Sequence, residues 1–274
     1  MSDSRVPRLR RFLVCEPRHF AVQYAINPWM HPDTHVDVDL AQDQWRTLIS
    51  TYEAHGHRID AVEPVPGLPD MVFAANSAVV VGGRVFGSLF HAPERRPEST
   101  HYDLWFKTAG YDVRRPLSVC EGEGDLVWTG RYVLAGTGFR TTREAHREVQ
   151  EFFGHPVISL TLVDPHFYHL DTALFVLDDS AAGNNIVYYP EAFSAGSRAV
   201  LERLYPEAVL ATRDDAMAFG LNSVSDGRHV FIAPQAEALA VRLDEHGYVP
   251  VPVDLSELHK AGGGIKCCTQ EIRS

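Results

Sequence analysis

The chain predicts an α/β protein: five strand–strand–helix–strand units arranged radially around a central channel. Three observations carry that expectation. A helical pattern ends in the same punctuation five times, at Gly56, Gly110, Gly154, Pro206 and Gly247, at intervals of 41 to 54 residues. Each stop runs into a short apolar stretch of strand type, such as Arg58-Ile59 or Tyr248-Val249. Glycine-centred hairpins lie between the units. Repeats of this size that close on themselves form radial arrays. An open doubly wound sheet is the competing architecture, but no glycine-rich phosphate loop follows the first strand.

The elements follow in order. Ala41, Trp45, Leu48, Ile49 and Tyr52 recur at helical spacing and define one apolar face. Gly56 then offers the left-handed conformation that closes a helix. Val79 to Phe86 reads as a hairpin turning on Gly82-Gly83, and Leu126 to Leu134 as another turning near Gly130. Val224 to Val230 turns at Asp226-Gly227, a strong hairpin dipeptide. The last helix presents Ala236, Leu239, Ala240 and Leu243 on one face. No linker or low-complexity stretch divides the chain, so residues 1–274 read as one domain, with 1–10 as a short basic tail.

Composition narrows the function classes. No apolar run is long enough to span a bilayer, and no signal segment opens the chain. The net charge of -11, without any basic stripe, argues against nucleic acid and anionic membranes. Four cysteines (Cys15, Cys120, Cys267, Cys268) in a chain of this length do not form a disulfide framework. A cytoplasmic location follows from that.

The most informative stretch is Ala261-Gly262-Gly263-Gly264-Ile265-Lys266-Cys267-Cys268-Thr269. Glycine at this density points to a constrained loop that passes close to a ligand and presents Cys267 as a nucleophile. Other polar groups gather where strands begin or end. Asp70 and Asn76 flank a short apolar run, and Glu121, Glu123 and Asp125 alternate with glycine just before Leu126-Val127-Trp128. His169 and Asp171 alternate along an extended segment. That pair suits general acid–base work; half of a metal site is the other reading, but no further ligands stand at suitable spacing. Asn27 sits in a loop with Trp29, and Arg95 and Arg140 offer guanidinium forks for a carboxylate. Together these groups ask for a small molecule with a cationic and an anionic end. A guanidinium amino acid fits, its planar cation against Asp70, Glu121 and Asp171.

The chain resembles the guanidine-modifying, amidinotransferase-like superfamily, most closely the bacterial dimethylarginine dimethylaminohydrolases and arginine dihydrolases. The shared marks are Ile26 to Met30, Leu68 to Asn76, Glu121 to Asp125, Phe167 to Thr172, Leu221-Asn222 and Gly262 to Thr269. The resemblance implies a five-bladed α/β propeller without a cofactor or metal. It implies Cys267 as nucleophile, His169 as general acid and then base, and Glu121 orienting His169. Asp171 would bind the guanidinium nitrogens, Arg95 and Arg140 the carboxylate, and Asn27 the amino-acid end, with Cys268 a bystander. Many relatives read Glu-Gly-Gly-Asp, so Glu123 competes here with Glu121 for the inward position; Glu121 is preferred. Asn76 is similar to the arginine dihydrolases where other dimethylargininases tend to carry aspartate. The implied reaction is hydrolysis of dimethylarginine to citrulline and dimethylamine, with arginine dihydrolysis or deimination as the alternative. A non-catalytic binder of arginine-like ligands is the alternative from another class, and a homodimer is left open.

Overall fold

A computed structural model describes residues 5–181 and 183–273. In chain order the elements begin with β1 (Arg11–Cys15), α1 (Val38–Ala54) and β2 (Arg58–Val62). There follow β3 (Ala78–Val81), β4 (Arg84–Gly87), α2 (Glu98–Thr108) and β5 (Val113–Arg114). The third group is β6 (Leu126–Trp128), β7 (Val133–Thr137), α3 (Arg143–Phe153) and β8 (Val157–Thr161). The fourth is β9 (Leu174–Asp178), β10 (Asn185–Tyr188), α4 (Ala195–Leu204), β11 (Val209–Leu210) and the short α5 (Arg213–Met217). The fifth is β12 (Val224–Ser225), β13 (His229–Ile232), α6 (Glu237–Glu245) and β14 (Val249–Pro252). A short α7 (Ser256–His259) and β15 (Gln270–Glu271) complete the series.

These strands sort into five three-stranded sheets. In every sheet the middle strand has an antiparallel partner on one side and, across a helix, a parallel partner on the other. Parallel pairing needs such a crossover. Four sheets use consecutive chain. The fifth combines distant segments, with β15 antiparallel to β1 and β2 parallel to it: Leu13 faces Gln270 and Asp60. The antiparallel partners are neighbours in space: β15 lies against β3, β3 against β6, β6 against β9, and β9 against β12.

The predicted punctuation is present. Gly56, Gly110, Gly154 and Gly247 take φ of 83°, 89°, 71° and 78° just past their helices, which a side chain at those positions would oppose. The fourth helix ends instead at Tyr205, before Pro206. The predicted hairpins form at Gly82-Gly83, around Gly130 and at Asp226-Gly227. The helices bury the faces their spacing implied: Ala41, Leu48 and Tyr52 on α1, Leu239 and Leu243 on α6.

Residues 1–4 of the expected tail lie outside the described residues, but 5–10 are not free. Arg5 stacks 3.8 Å over the Tyr248 ring, and Arg10 pairs with Asp179 at 2.8 Å and Glu271 at 3.0 Å. The basic side chains that suggested a tail are the ones that fasten it.

Candidate active site

Each unit delivers polar side chains at the same place, the turn leading into its first strand. Asn76 and Asn222 stand two residues ahead of β3 and β12, and Asp171 and Cys267 three ahead of β9 and β15. Glu121 and His169 stand five ahead of β6 and β9. Because those first strands are neighbours, turns far apart in sequence meet. Ala75 N–H donates to the Cys267 carbonyl at 3.0 Å, and Leu170 N–H to Asp125 Oδ1 at 3.1 Å.

Cys267 is buried, 2% exposed. Its Sγ lies 3.3 Å from Asp171 Oδ2 and 3.1 Å from Asn222 Nδ2. Lys266, next in sequence, turns away to Glu123 Oε2 at 2.6 Å. Glu123 also takes the Glu271 N–H and pairs with Arg273, so it faces the β15 end. Glu121 faces the other way. Its Oε2 meets His169 Nε2 at 2.7 Å and Arg140 Nη1 at 2.9 Å, and its Oε1 accepts from His91 N–H. Of the two competing acids, Glu121 is the one beside His169.

Burial pushes the Glu121 carboxyl up, but Arg140, the hydrogen bond from His169 and Arg95 outweigh it and hold the group well below the usual range. An ionised carboxylate only accepts, so Nε2 of His169 carries hydrogen. Proton exchange is left to Nδ1, a buried atom with no partner among the described residues.

Asp70 Oδ2 accepts from Tyr24 Oη at 2.8 Å, while its Oδ1 has no partner. Asn76 Oδ1 accepts from Arg95 Nη1 at 2.7 Å, and its Nδ2 is likewise unpartnered. Arg95, expected at a substrate carboxylate, is bidentate to Glu98 at 3.0 and 2.8 Å. Arg140 has the same expectation and is held by Glu121 and by the Ile26 carbonyl at 2.7 Å. Asn27 donates to the Ala261 carbonyl and accepts from Trp29 N–H, so one end of its amide fastens the glycine loop and the other its own turn. Phe90, Arg95 and Glu98 are buried, so the segment around them is a wall of the site. Among the described residues no group of three or more His, Cys, Asp or Glu side chains has metal-holding geometry.

The cluster thus presents buried acceptors without partners, Asp171 Oδ1 on the residue that meets the thiol and Asp70 Oδ1 on the residue beside Arg95, together with an unpartnered imidazole nitrogen. Burial raises Asp70, and burial pushes Asp171 up to about 6 despite the nearby His169. The Cys267 thiol is raised too, by burial and then by Asp171. Planar N–H donors carrying positive charge would satisfy both acceptors and relieve all three shifts.

The raised Asp171 gives a stability prediction. Its folded pKa lies above the unfolded value near 3.8, so the penalty is full above pH 6 and absent below about pH 4. Asp171→Asn should be more stable than the parent at pH 8 by about 3 kcal/mol. Thermal melts should show the gap closing near pH 4; a variant that melts lower at pH 8 overturns this account.

Comparisons with known proteins give the family. The family model described as "N,N dimethylarginine dimethylhydrolase, eukaryotic" matches residues 17–274. The chain belongs to that family. A relative within reach of this membership is the N(G),N(G)-dimethylarginine dimethylaminohydrolase of Mycobacterium tuberculosis, 49% identical over 268 residues, 98% of this chain and 87% of that protein. The bifunctional arginine dihydrolase/ornithine cyclodeaminase ArgZ of Synechocystis is 36% identical over 270 residues, 96% of this chain. The chain spans 37% of that longer protein. The N-terminal domain of ArgZ, an arginine dihydrolase solved with substrate, superposes with a TM-score of 0.91 at 34% identity, covering 97% of this chain and 98% of that one. A dimethylarginine dimethylaminohydrolase adduct shares the fold at a TM-score of 0.78 and 19% identity, covering 96% of this chain and all of the other.

Sequence reasoning gave no role to Asn222. Its position was visible as one of the shared marks, and the repeat offers the missing signal: it stands two residues before its strand, as Asn76 does.

Proposed function

We propose that this protein hydrolyses a guanidinium C–N bond of dimethylarginine, releasing citrulline and dimethylamine through a covalent intermediate on Cys267. The observation that carries the reading is the juxtaposition of a thiol, two unsatisfied buried carboxylate oxygens and a Glu121-held imidazole, in a chain 49% identical to a dimethylarginine dimethylaminohydrolase.

The substrate cation settles against Asp70 and Asp171, its N–H groups on their free oxygens. Its charge favours the thiolate of Cys267, which burial otherwise opposes. The thiolate adds to the guanidinium carbon, the C–N bond to the dimethylated nitrogen breaks, and His169 Nδ1 supplies the proton that leaves with dimethylamine. A thiouronium remains on Cys267. His169 Nδ1 then takes one proton from water as it adds to the same carbon. The C–S bond breaks to give citrulline and thiolate, and the second water proton passes to solvent, where the released dimethylamine ends as dimethylammonium. Arg95 and Arg140 are the forks proposed for the carboxylate, exchanging Glu98 and Glu121 contacts for the ligand, and Asn27 stands at the amino-acid end through the loop it fastens. No cofactor enters these steps.

The five sheets support a wider reading of a five-bladed propeller in one domain, 1–274. A cavity lined by Trp128, Leu174, Ser225 and Glu271, from four of the first strands, supports a central channel. No described helix is long and apolar enough to cross a membrane, and the four free cysteines support a reducing, cytoplasmic setting.

Asn76 favours a second reading, an arginine dihydrolase, because an amide held by Arg95 directs an N–H at the cluster where an aspartate would place a charge. A product assay separates the two. Purified protein given asymmetric dimethylarginine should release dimethylamine and citrulline, with little turnover of arginine. Ornithine and ammonia from arginine would instead establish dihydrolysis.

A further inference from the structure

Asn222 makes four contacts with its single amide group. Oδ1 accepts from the backbone N–H of Gly264 and of Cys267, both at 3.0 Å. Nδ2 donates to the Asp171 carbonyl at 3.0 Å and to Cys267 Sγ at 3.1 Å. Backbone N–H groups can meet only an acceptor, and a carbonyl oxygen only a donor, so these partners fix which end is nitrogen. One hydrogen of Nδ2 is therefore committed to the sulfur.

Of the other neighbours of that sulfur, the Gly264 backbone N–H also favours the thiolate, but it is shared with Asn222 Oδ1. Asp171 Oδ2 is an acceptor and repels a thiolate, and Lys266 is drawn off to Glu123 and the Thr269 carbonyl. Asn222 is 1% exposed, so water does not substitute for its N–H. It also joins three parts of the site: the glycine loop, the nucleophile and the turn bearing Asp171. A Cβ on Gly264 would lie 3.1 Å from its Oδ1, which ties that glycine to the same contact.

We propose that Asn222 is a catalytic residue for this reaction, its amide N–H holding the attacking sulfur of Cys267 as the thiolate while its oxygen fixes the loop that presents it. This rests on Cys267 being the nucleophile. A hydrogen bond donated to a charged form favours that form. Once the thiouronium forms, sulfur no longer carries negative charge; the donor favours it again as the leaving thiolate in the second half of the reaction.

Two variants separate this role from simple loop fastening. Asn222→Asp keeps an oxygen for the Gly264 and Cys267 N–H groups but removes the amide donor. Asn222→Leu keeps similar bulk and removes both. Asn222→Asp also adds a carboxylate charge that opposes the thiolate by itself, so its raised midpoint counts only where the neutral Asn222→Leu shares it. The thiolate of Cys267 is followed by its ultraviolet absorbance against pH, as the difference between each protein and its Cys267→Ser counterpart. Both variants should titrate at least one pH unit above the parent, equivalent to about a tenfold smaller thiolate fraction. The pH at which kcat/KM rises should move with it, and both kcat values should fall by at least tenfold. An Asn222→Asp protein that melts like the parent and titrates at the parent's midpoint overturns the proposal, leaving Asn222 a loop fastener. If Asn222→Asp does not fold, the midpoint of Asn222→Leu decides. Full activity in Cys267→Ser alone would instead overturn the underlying assignment of the nucleophile.

Discussion

Cys267→Ser is expected to lower turnover of dimethylarginine by roughly four orders of magnitude or more, with substrate binding retained. The physical reason lies in the surroundings of Sγ. Its contacts are Asp171 and Asn222, and His169 Nε2 is occupied by Glu121. A thiol can reach its anionic form once a guanidinium cation enters. A hydroxyl is far less acidic, and the same cation would leave it protonated. Because the carboxylates that face the cation are untouched, KM or a binding isotherm should change much less than kcat. Acid quenching during turnover should trap a substrate-derived mass increase on the Cys267 peptide of the parent and none on the variant. Appreciable steady-state turnover by the serine protein would remove covalent catalysis at this position.

Glu121→Gln should damage stability and catalysis together. The carboxylate is fully buried between Arg140 and His169. Replacing it by an amide leaves the Arg140 guanidinium, 6% exposed, without its countercharge. Breaking a buried pair this way costs about 3–5 kcal/mol, a fall in melting temperature of roughly 10 °C for a chain of this size. Since Glu121 is held below the usual range in the fold, its contribution is present above its unfolded pKa and lost as pH falls. The gap between parent and variant should be widest near neutral pH and narrow only below about pH 4. His169, held at Nε2 by a neutral amide oxygen in place of a carboxylate, should lose its stabilised imidazolium, with a fall of about 10²–10⁴ in kcat. Equal melting temperatures at neutral pH would contradict the ion-pair account, whatever happens to activity.

What sequence made legible was mostly local. Glycine stops and hairpin dipeptides act within a few residues, so Gly56, Gly154 and Asp226-Gly227 could be read directly. The candidate site residues stood out because acid, histidine and thiol are chemically distinctive. What escaped depended on distant partners. The two-residue β15 carries no pattern of its own, and its partner β1 lies at the far side of the sequence. Arg10 looked like part of a loose tail because Asp179 and Glu271 are remote in sequence. Asn222 acts through two backbone amides and a sulfur, and an asparagine in isolation announces none of them. Glu121 and Glu123 could be ranked only by preference, since alternation around glycines does not say which faces Lys266 and which faces His169.

The pairing of β15 with β1 has a bearing on how catalytic competence is gained and lost. Joining two distant segments adds little closure entropy, because that term grows only with the logarithm of loop length, but such contacts form late and slowly. Cys267 stands three residues before β15. A folding intermediate with four finished sheets would therefore carry the acid and the imidazole in place while its sulfur still wandered. The same seam bears on the reverse process: an opening of β15 that also loosened the Asn222 and Ala75 contacts of Cys267 would disarm the enzyme while most of its amide protons remained protected from exchange. Activity and global unfolding are then separate clocks, and the first can stop well before the second.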